Sequence, residues 1–231
     1  MKNNHVLITG GNKGIGLETT KLLLNLKYKV TVIGRDSSSL DGLSCNFIPF
    51  DLRDIKNIAN LISTIDDVDI LINNAGIMNT CEYENYSDTE KDDLLKINLE
   101  APVELITRIS KSMIKNHFGR IVNNTSIAGQ IGHPDIWYGI SKAGLINATK
   151  SFAKLLGPQG IIINAVASSP VSTDMLQSIP SARKEAFLKN VYTGRFAEPI
   201  EIAKTMVWLA TESPEYINGS CIDINDGSFQ R

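Results

Sequence analysis

Residues 6–16 read Val-Leu-Ile-Thr-Gly-Gly-Asn-Lys-Gly-Ile-Gly, and this stretch decides the fold. Residues 6–8 are typical of a buried strand, and residues 15–26 carry apolar side chains at helical spacing. The glycines that join them allow a tight turn and a close approach of the backbone to a ligand. A helix that begins here offers unpaired N–H groups and a positive dipole, which suit a pyrophosphate. A flexible turn without a ligand is the alternative, but the position between a strand and a helix favours phosphate binding.

The alternation of strand and helix continues along the chain. Near-continuous apolar strands separated by helices indicate a parallel sheet that is covered on both faces. The sequence therefore predicts one α/β domain over residues 1–231, with a doubly wound, Rossmann-like sheet of about seven strands. Only a loop or a single turn fits between the second and third strands. The predicted strands are 6–8, 30–33, 47–48, 69–72, 121–123, 161–163 and 221–224, and the predicted helices are 15–26, 54–65, 89–116, 136–156 and 200–210.

Composition excludes several classes of protein. The chain has 231 residues, of which 42% are hydrophobic, and a net charge of -2 gives no basic excess for nucleic acid. No apolar run approaches the roughly 18 residues of a membrane span, and the start carries no secretory signal, so we expect a cytoplasmic protein. Cys45, Cys81 and Cys221 are scattered without the spacing of metal ligands, so we expect small buried side chains and no metal.

Glycines and polar residues follow six predicted strands at the point where each strand ends. Ligands of doubly wound folds bind at the carboxyl ends of the strands. Core packing gives no reason for such residues to cluster there, so the sequence predicts a binding site at this edge. The residues are Gly10, Gly34 with Arg35, Asp51, Asn73, Ser126 and Ser168.

Tyr138 and Lys142 lie four residues apart in the predicted helix 136–156 and therefore share one face. A phenol has an ordinary pKa of about 10, and a nearby ammonium group lowers it. The pair is thus a candidate general acid and base. Ser126, at a strand end, is placed to hydrogen-bond a substrate oxygen. Taken alone, the pair is more often part of an ordinary amphipathic helix, and the other motifs decide between the two interpretations.

The glycine spacing Thr-Gly-x-x-x-Gly-x-Gly resembles that of the short-chain dehydrogenase/reductase family. The resemblance covers nearly the whole chain, because further motifs follow in the order of that family. The stretches 194–199 and 225–227 resemble the 3-oxoacyl-acyl-carrier-protein reductase branch. Sugar, steroid and polyol reductases have a similar carboxyl-terminal segment. The further motifs are Asn73-Asn74-Ala75-Gly76, Asn98, Ser126, and Tyr138 with Lys142.

The resemblance implies an oxidoreductase that reduces a ketone to a secondary alcohol by hydride transfer, with Tyr138 as proton donor. Lys142 would lower the pKa of Tyr138 and bind the nicotinamide ribose, Ser126 would hold the carbonyl oxygen, and Asn98 would support a water relay to Lys142. Pro102 has no N–H and cannot bond back to the Asn98 carbonyl, which leaves that carbonyl for a water or simply kinks the helix.

The charges after the second strand indicate NADPH rather than NADH. Arg35 and Lys13 can converge on a 2′-phosphate, and Asp36 lies beyond the position of the acid that selects NAD in the family. The alternative is that Arg35 and Lys13 are solvated charges in loops and bind no phosphate. Asp51 and Leu52 would border the adenine, and Val171 would meet the carboxamide. The full cofactor set implied is Thr9, Gly10, Asn12, Lys13, Gly14, Ile15, Gly16, Arg35, Asp51, Leu52, Asn74, Ala75, Gly76, Tyr138, Lys142, Val171 and Thr173. Ser168-Ser169 stand where the family carries Pro-Gly, so this chain departs from the family beside the nicotinamide.

Residues 175–196 are polar and mixed, and we expect them to form a lid over the substrate. The substrate implied is a small carbonyl or alcohol compound, either free or bound to an acyl carrier protein, and the family implies a homotetramer or a homodimer. A sugar, polyol or steroid alcohol dehydrogenase, or a non-catalytic dinucleotide-binding regulator, is the alternative. Basic lid residues that suit an acidic carrier, or are simply solvated, are Arg183, Lys184 and Lys189; candidate pocket residues are His133, Trp137 and Met175.

Overall fold

The computed structural model of the chain describes residues 4–80 and 83–230. Within these residues, seven parallel strands form one sheet in the order β3-β2-β1-β4-β5-β6-β7. This arrangement confirms the predicted doubly wound α/β fold. The strands are β1 His5–Thr9, β2 Lys29–Gly34, β3 Asn46–Pro49, β4 Ile70–Asn73, β5 Gly119–Ser126, β6 Ile161–Ser168 and β7 Cys221–Ile224.

Helices cover both faces of the sheet. Side chains alternate along β1, so that Val6 and Ile8 pack into one apolar layer and Leu7 into the other. The first layer includes residues of α1 and α8, and the second includes residues of α2, α4 and α5. The α-helices are α1 Gly14–Asn25, α2 Ile58–Ser63, α3 Asp88–Leu95, α4 Ala101–Lys115, α5 Ile136–Leu156, α6 Asp174–Gln177, α7 Ser181–Leu188 and α8 Pro199–Thr211.

The predicted helix 89–116 forms as an unbroken helical stretch from Asp88 to Lys115, but the stretch is not regular throughout. Between α3 and α4 lies a π-helical segment, Lys96–Glu100, in which the Ala101 N–H donates to the Lys96 carbonyl. Pro102 follows at once and has no N–H, so it cannot donate to the carbonyl four residues back. The extra residue of a π turn accommodates that missing bond. Asn98 lies within this widened turn and is fully buried.

The connections between β3 and β4 and between β2 and β3 contain less helix than a full crossover helix would have. The predicted helix 54–65 is shortened to a 3₁₀ turn, Ile55–Asn57, followed by the six residues of α2. The link between β2 and β3 carries a single 3₁₀ turn, Ser38–Leu40, which confirms the prediction made from its length.

Asp135 fixes the start of α5 and therefore the position of Tyr138. Its Oδ1 accepts the N–H of Tyr138 at 3.0 Å and the hydroxyl of Tyr86 at 2.8 Å. Its Oδ2 accepts the N–H of Asn79 at 3.0 Å. The carboxylate is 2% exposed, so three hydrogen bonds compensate its burial. One buried N-cap thus ties the loop after β4, the segment before α3 and the first turn of α5 together.

No helix within residues 4–80 and 83–230 is both long and apolar enough to cross a bilayer. The described part of the chain holds no cluster of His, Cys, Asp and Glu side chains suited to a metal ion. Cys45 and Cys221 are half-buried rather than fully buried as predicted, and Cys81 lies outside the described residues.

Candidate active site

The carboxyl ends of the strands open into one cleft of about 700 Å³. Residues that follow five of the six strands contribute to its wall as predicted, namely Gly10, Arg35, Asp51, Ser126 and Ser168. Asn73 does not, because its side chain is directed to β5, where its Nδ2 donates to Asn123 Oδ1 at 2.9 Å. Asn74 lines the cleft instead.

The glycine loop brings the backbone to the start of α1. Gly14 has a φ of +48°, which only glycine adopts without strain. A Cβ at Gly16 would overlap the carbonyl of Gly10, so the loop could not close over any larger residue. The N-cap residue Lys13 makes no side-chain cap to the helix. The first N–H groups of α1 are therefore left for a ligand, and an anion suits them.

Thr9 lies behind this loop rather than in the cleft wall that the described residues form. Its hydroxyl accepts the N–H groups of Asn74 and Ala75, each at 3.1 Å. The Asn74 side chain donates in return to the carbonyls of Thr9 and Gly10, each at 3.1 Å. The Thr9 hydroxyl is thus occupied in tying the glycine loop to the end of β4, and a contact of Thr9 with the cofactor stays a prediction.

Positive charge collects where β2 ends. Lys13 and Arg35 both line the cleft there, together with Asp36. The Asp36 carboxylate accepts the N–H and the hydroxyl of Ser38 at 3.0 and 2.9 Å, and these bonds lower its pKa. Its carbonyl accepts Nδ2 of Asn12 at 2.7 Å. Asp36 is therefore engaged by its own loop, whereas the two cations face the cleft.

Asp51 lies farther along the same wall and is paired with Arg53. Hydrogen bonds from the guanidinium lower the pKa of Asp51 to about 2. Arg53 also reaches Asp93 of α3, with an N–O distance of 3.0 Å. The pair holds the wall beside Leu52 and Phe50, which contribute apolar surface to it. Arg53 was not foreseen, because its partner Asp93 is forty residues away.

Ser126, Tyr138 and Lys142 meet in the cleft wall. Burial raises the pKa of Tyr138 to about 12, and a hydrogen bond with Ser126 acts in the opposite direction. Lys142 Nζ lies 5.6 Å from the centre of the Tyr138 ring and donates to the Asn124 carbonyl at 2.9 Å. Burial lowers the pKa of Lys142 to about 8. The pKa of Tyr138 is therefore raised rather than lowered in the protein alone, because loss of solvent outweighs the hydrogen bond with Ser126.

Asn98 supports the cleft without forming its surface. Its Oδ1 accepts the N–H of Ile77 at 2.8 Å, and its Nδ2 donates to the Ile77 carbonyl at 2.8 Å. A Cβ on Gly76 would lie 3.3 Å from Asn98 Oδ1 and 3.4 Å from Lys142 Nζ. Asn98 and Lys142 therefore flank the same glycine. The water relay between them stays a prediction.

Ser168 and Ser169 preserve the strand pairing despite the departure from Pro-Gly. Ser168 still pairs with Ser126 on β5 and with Ile224 on β7. The Ser169 N–H, which a glycine would also offer, donates to the Ile224 carbonyl at 3.1 Å. Val171 and Thr173 then lie in the cleft wall as predicted.

The segment predicted to form a lid contains most of α6, all of α7 and the chain up to Phe196. It contributes both apolar and charged residues to the cleft wall, and the charged ones include Arg183 and Lys184. Closure of this segment over a substrate stays a prediction. The rings of Phe187 and Phe196 stack with their centres 6.2 Å apart. Lys189 is exposed and outside the wall formed by the described residues. The lid residues in the wall include Met175, Leu176, Ile179, Arg183, Lys184, Phe187 and Phe196.

Of the other predicted pocket residues, His133 lies in the wall and Trp137 does not. Trp137 packs beside Tyr138, Leu94 and Tyr86 because it points to the α3 side of α5. Sequence reasoning also missed Asp135 and Asn124. The first could have been found as an acid three residues before Tyr138 at the start of a helix. The backbone carbonyl of Asn124 accepts a hydrogen bond from Lys142 Nζ. A pattern of side chains in the sequence cannot predict such a backbone contact.

Comparison with known proteins places this geometry in a family. Residues 4–184 match the family model described as short chain dehydrogenase. The chain is 34% identical to the 3-oxoacyl-[acyl-carrier-protein] reductase FabG of Rickettsia prowazekii, covering 96% of this chain and 95% of the relative. It is 32% identical to the protein of the same name from Vibrio harveyi, covering 96% of each.

Solved structures show the same fold. A 4-hydroxyisoleucine dehydrogenase complexed with NADH superposes with a TM-score of 0.91 at 26% identity, covering 97% of this chain and 98% of the other. A 3-oxoacyl-[acyl-carrier protein] reductase from Brucella melitensis has a TM-score of 0.87 at 25% identity, covering 96% of this chain and 90% of the other. With the glycine loop, the serine, the tyrosine and the lysine in place, the chain belongs to the short-chain dehydrogenase family, in its 3-oxoacyl-[acyl-carrier-protein] reductase branch, and is an NAD(P)H-dependent oxidoreductase.

Proposed function

We propose that the protein reduces the ketone of a 3-oxoacyl thioester to a secondary alcohol, with NADPH as cofactor and Tyr138 as proton donor. The observation that carries the proposal is the meeting of Ser126, Tyr138 and Lys142 in one cleft whose far end holds the glycine loop. The names of the relatives support the substrate class, since several are 3-oxoacyl-carrier-protein reductases.

The residues present fit a nicotinamide dinucleotide. The uncapped start of α1 suits its pyrophosphate, and the close approach of the backbone at Gly16 leaves room for it. Lys13 and Arg35 would hold a 2′-phosphate. The Asp36 carboxylate accepts two hydrogen bonds from Ser38, which hold it against its own loop. These contacts support a preference for NADPH.

The protein side chains then perform the proton chemistry. A bound nicotinamide supplies the hydride. Ser126 and Tyr138 direct their hydroxyls to the carbonyl oxygen, and the phenol gives its proton to that oxygen as negative charge develops. A pKa of about 12 keeps Tyr138 protonated at neutral pH, which is the state that reduction requires. Lys142, with a pKa of about 8, is still mostly charged at pH 7 and stabilises the phenolate that remains.

Replacement of the phenol hydroxyl tests this assignment. In Tyr138→Phe we expect kcat for reduction of acetoacetyl-N-acetylcysteamine to fall by about a hundredfold or more, because the proton donor is lost. The Kd for NADPH should stay within about twofold of wild type, since the cofactor cleft is otherwise intact. Steady-state kinetics and fluorescence titration measure the two quantities.

Tyr216→Phe is the matched control, because Tyr216 is fully exposed and outside the described cleft wall. It should leave both quantities unchanged. Retention of full turnover by Tyr138→Phe would remove the phenol from the mechanism.

We also propose that the protein assembles into a homotetramer or a homodimer. Ile136 and Ile140 on one face of α5 are 46% and 47% exposed, and an interface would cover them. Light scattering that gives the mass of one chain at all concentrations would overturn this proposal.

A further inference from the structure

Arg183 of the lid contacts one neutral partner inside the cleft. Its Nη2 lies 2.6 Å from Nε2 of His133. A guanidinium can only donate, so Nε2 accepts, the imidazole is neutral, and the hydrogen of His133 is on Nδ1. Nδ1 then donates to the Asp135 carbonyl at 3.1 Å. The contact orients Arg183 but leaves its positive charge without a counter-charge.

No ion pair of Arg183 occurs among the described residues. Asp135 attracts it from a distance, but the oxygens of that carboxylate already accept from Asn79, Tyr86 and Tyr138. Burial lowers the pKa of Arg183. A half-buried cation is unfavourable unless an anion compensates it, and the cleft is the side from which an anion can come.

Arg183 is also close to the proposed proton donor. The His133 ring lies 5.3 Å from the Tyr138 ring, centre to centre. The imidazole of His133 therefore contacts the guanidinium and also lies beside the ring of Tyr138. Lys184 adds a second positive charge to the lid side of the wall, against the single carboxylate of Asp174 among the described residues.

We propose that Arg183 binds an anionic group of the substrate, a carboxylate or a phosphate ester, near the carbonyl that is reduced. The proposal rests on the ketone reduction of the proposed function. An anion on the oxo compound itself would make the free 3-oxo acid, rather than its thioester, the substrate. An arginine fork binds such oxyanions through two parallel hydrogen bonds. His133 holds one arm of the fork, and the remaining N–H groups, which make no hydrogen bond within the described residues, face the ligand. The short separation from Tyr138 favours a carboxylate on the oxo compound itself over a phosphate at the far end of a pantetheine arm.

Kinetics with a matched pair of substrates tests the subsite. Acetoacetate carries a carboxylate, and methyl acetoacetate has the same ketone without the charge. Arg183→Gln should raise KM for acetoacetate about tenfold or more and change KM for the ester by less than about twofold. Arg183→Lys should recover part of the loss. Lys189→Gln removes a charge just beyond α7 that is outside the described wall, and it should change neither value. Equal increases for acid and ester would overturn the subsite and leave Arg183 a lid contact.

A second pair of substrates identifies the source of the anion. Acetoacetyl-pantetheine is neutral, and acetoacetyl-4′-phosphopantetheine carries a phosphate. A loss in Arg183→Gln that is confined to the phosphorylated compound assigns the anion to the carrier arm, and a loss confined to acetoacetate assigns it to the substrate. Independence of all four compounds from Arg183 would overturn the proposal.

Binding without turnover separates this proposal from the proposed function. Acetoacetate is titrated calorimetrically into NADP⁺-saturated wild type and Arg183→Gln. Absence of turnover with any ketone, together with binding that is lost in the variant, would defeat the reductase proposal and keep the subsite. Turnover of the ester together with equal binding of acetoacetate to both proteins would keep the reductase proposal and overturn the subsite.

Discussion

Tyr138 and Lys142 show how burial sets the chemistry of single residues. Both side chains are buried, and desolvation disfavours their charged forms. It raises the pKa of the phenol to about 12 and lowers that of the ammonium group to about 8. Sequence reasoning considered only the attraction between the two groups, because the spacing of Tyr138 and Lys142 reveals a neighbour but not the loss of water around it.

The buried charge of Lys142 should therefore lower the free energy of unfolding, and its removal should raise it again. Its pKa is about 8 in the folded protein and roughly 10.4 when unfolded, so the unfolded state binds the proton more tightly between those values. Stability rises with pH across that window, and the full cost is present below pH 8. We expect Lys142→Met to raise the free energy of unfolding at pH 7 by about 1 to 3 kcal/mol, and the gain to shrink towards pH 10. Urea unfolding at pH 7 and pH 10 measures both differences.

The exposed lysine Lys150 lies on the same helix and provides the control. Lys150→Met should leave the free energy of unfolding within about 0.5 kcal/mol of wild type. A gain in Lys142→Met that is the same at both pH values would show that methionine packing, rather than removal of the charge, stabilises the variant.

Among the secondary-structure elements, α3 and α4 are joined by an irregular helical turn that positions Asn98 beside the cleft. The π-helical segment Lys96–Glu100 sets the rotation of Asn98 towards Ile77. Sequence reasoning expected an irregularity near Pro102 from its missing N–H. It could not place an extra residue in the turn, because the apolar spacing of the flanking helices reads as one continuous stripe.

Restoring the missing N–H should disturb this arrangement. Pro102→Ala allows the helix to close with regular four-residue bonds, which turns the Asn98 side chain away from Ile77 and shifts the segment next to Lys142. We expect kcat to fall about tenfold to a hundredfold with the NADPH Kd within about twofold, because small misplacements of catalytic groups cost rate more than binding. Pro158→Ala, in a 3₁₀ turn outside the described cleft wall, is the matched control and should leave kcat unchanged. Wild-type kcat in Pro102→Ala would separate the π turn from catalysis.

For the whole molecule, the strand ends could be predicted from sequence and the links between distant segments could not. Alternating strands and helices placed the glycine loop, Ser126 and Tyr138 on one edge, because parallel strands share their direction. The contact of His133 with Arg183 joins a loop to a lid fifty residues away. Asn74 rather than Asn73 lines the cleft because the Asn73 side chain is hydrogen-bonded to Asn123 of β5, fifty residues away. Neither follows from a local pattern, because each depends on how two separately folded segments pack.

Cofactor binding should stabilise the entire domain. A ligand at about a hundred times its Kd adds roughly 2.7 kcal/mol to the folded state, which corresponds to a rise in Tm of about 5 to 10 °C for a chain of this size. We expect NADPH to give this shift and NADH at the same concentration a clearly smaller one, since Lys13 and Arg35 line the cleft where β2 ends. Thermal denaturation with each nucleotide measures the difference.

The variant Arg35→Gln should lose most of the NADPH shift and keep the NADH shift. Arg108→Gln, on α4 outside the described wall, should keep both. A larger shift with NADH than with NADPH in the wild type would reverse the proposed preference.

The strand order also determines how the chain can fold as it leaves the ribosome. The first strand to emerge, β1, ends up inside the sheet, β2 and β3 extend it on one side, and β4 to β7 extend it one by one on the other. Each new strand therefore meets a neighbour that has already been synthesised, and no strand has to be inserted between two others after β1 has paired with β2 and β4. While the chain is being synthesised, the last strand added forms an edge of the sheet that has not yet paired with its next neighbour. The final pairing of this kind is that of β7 with β6. A chain arrested before Cys221 therefore leaves β6 open to pairing with other nascent chains.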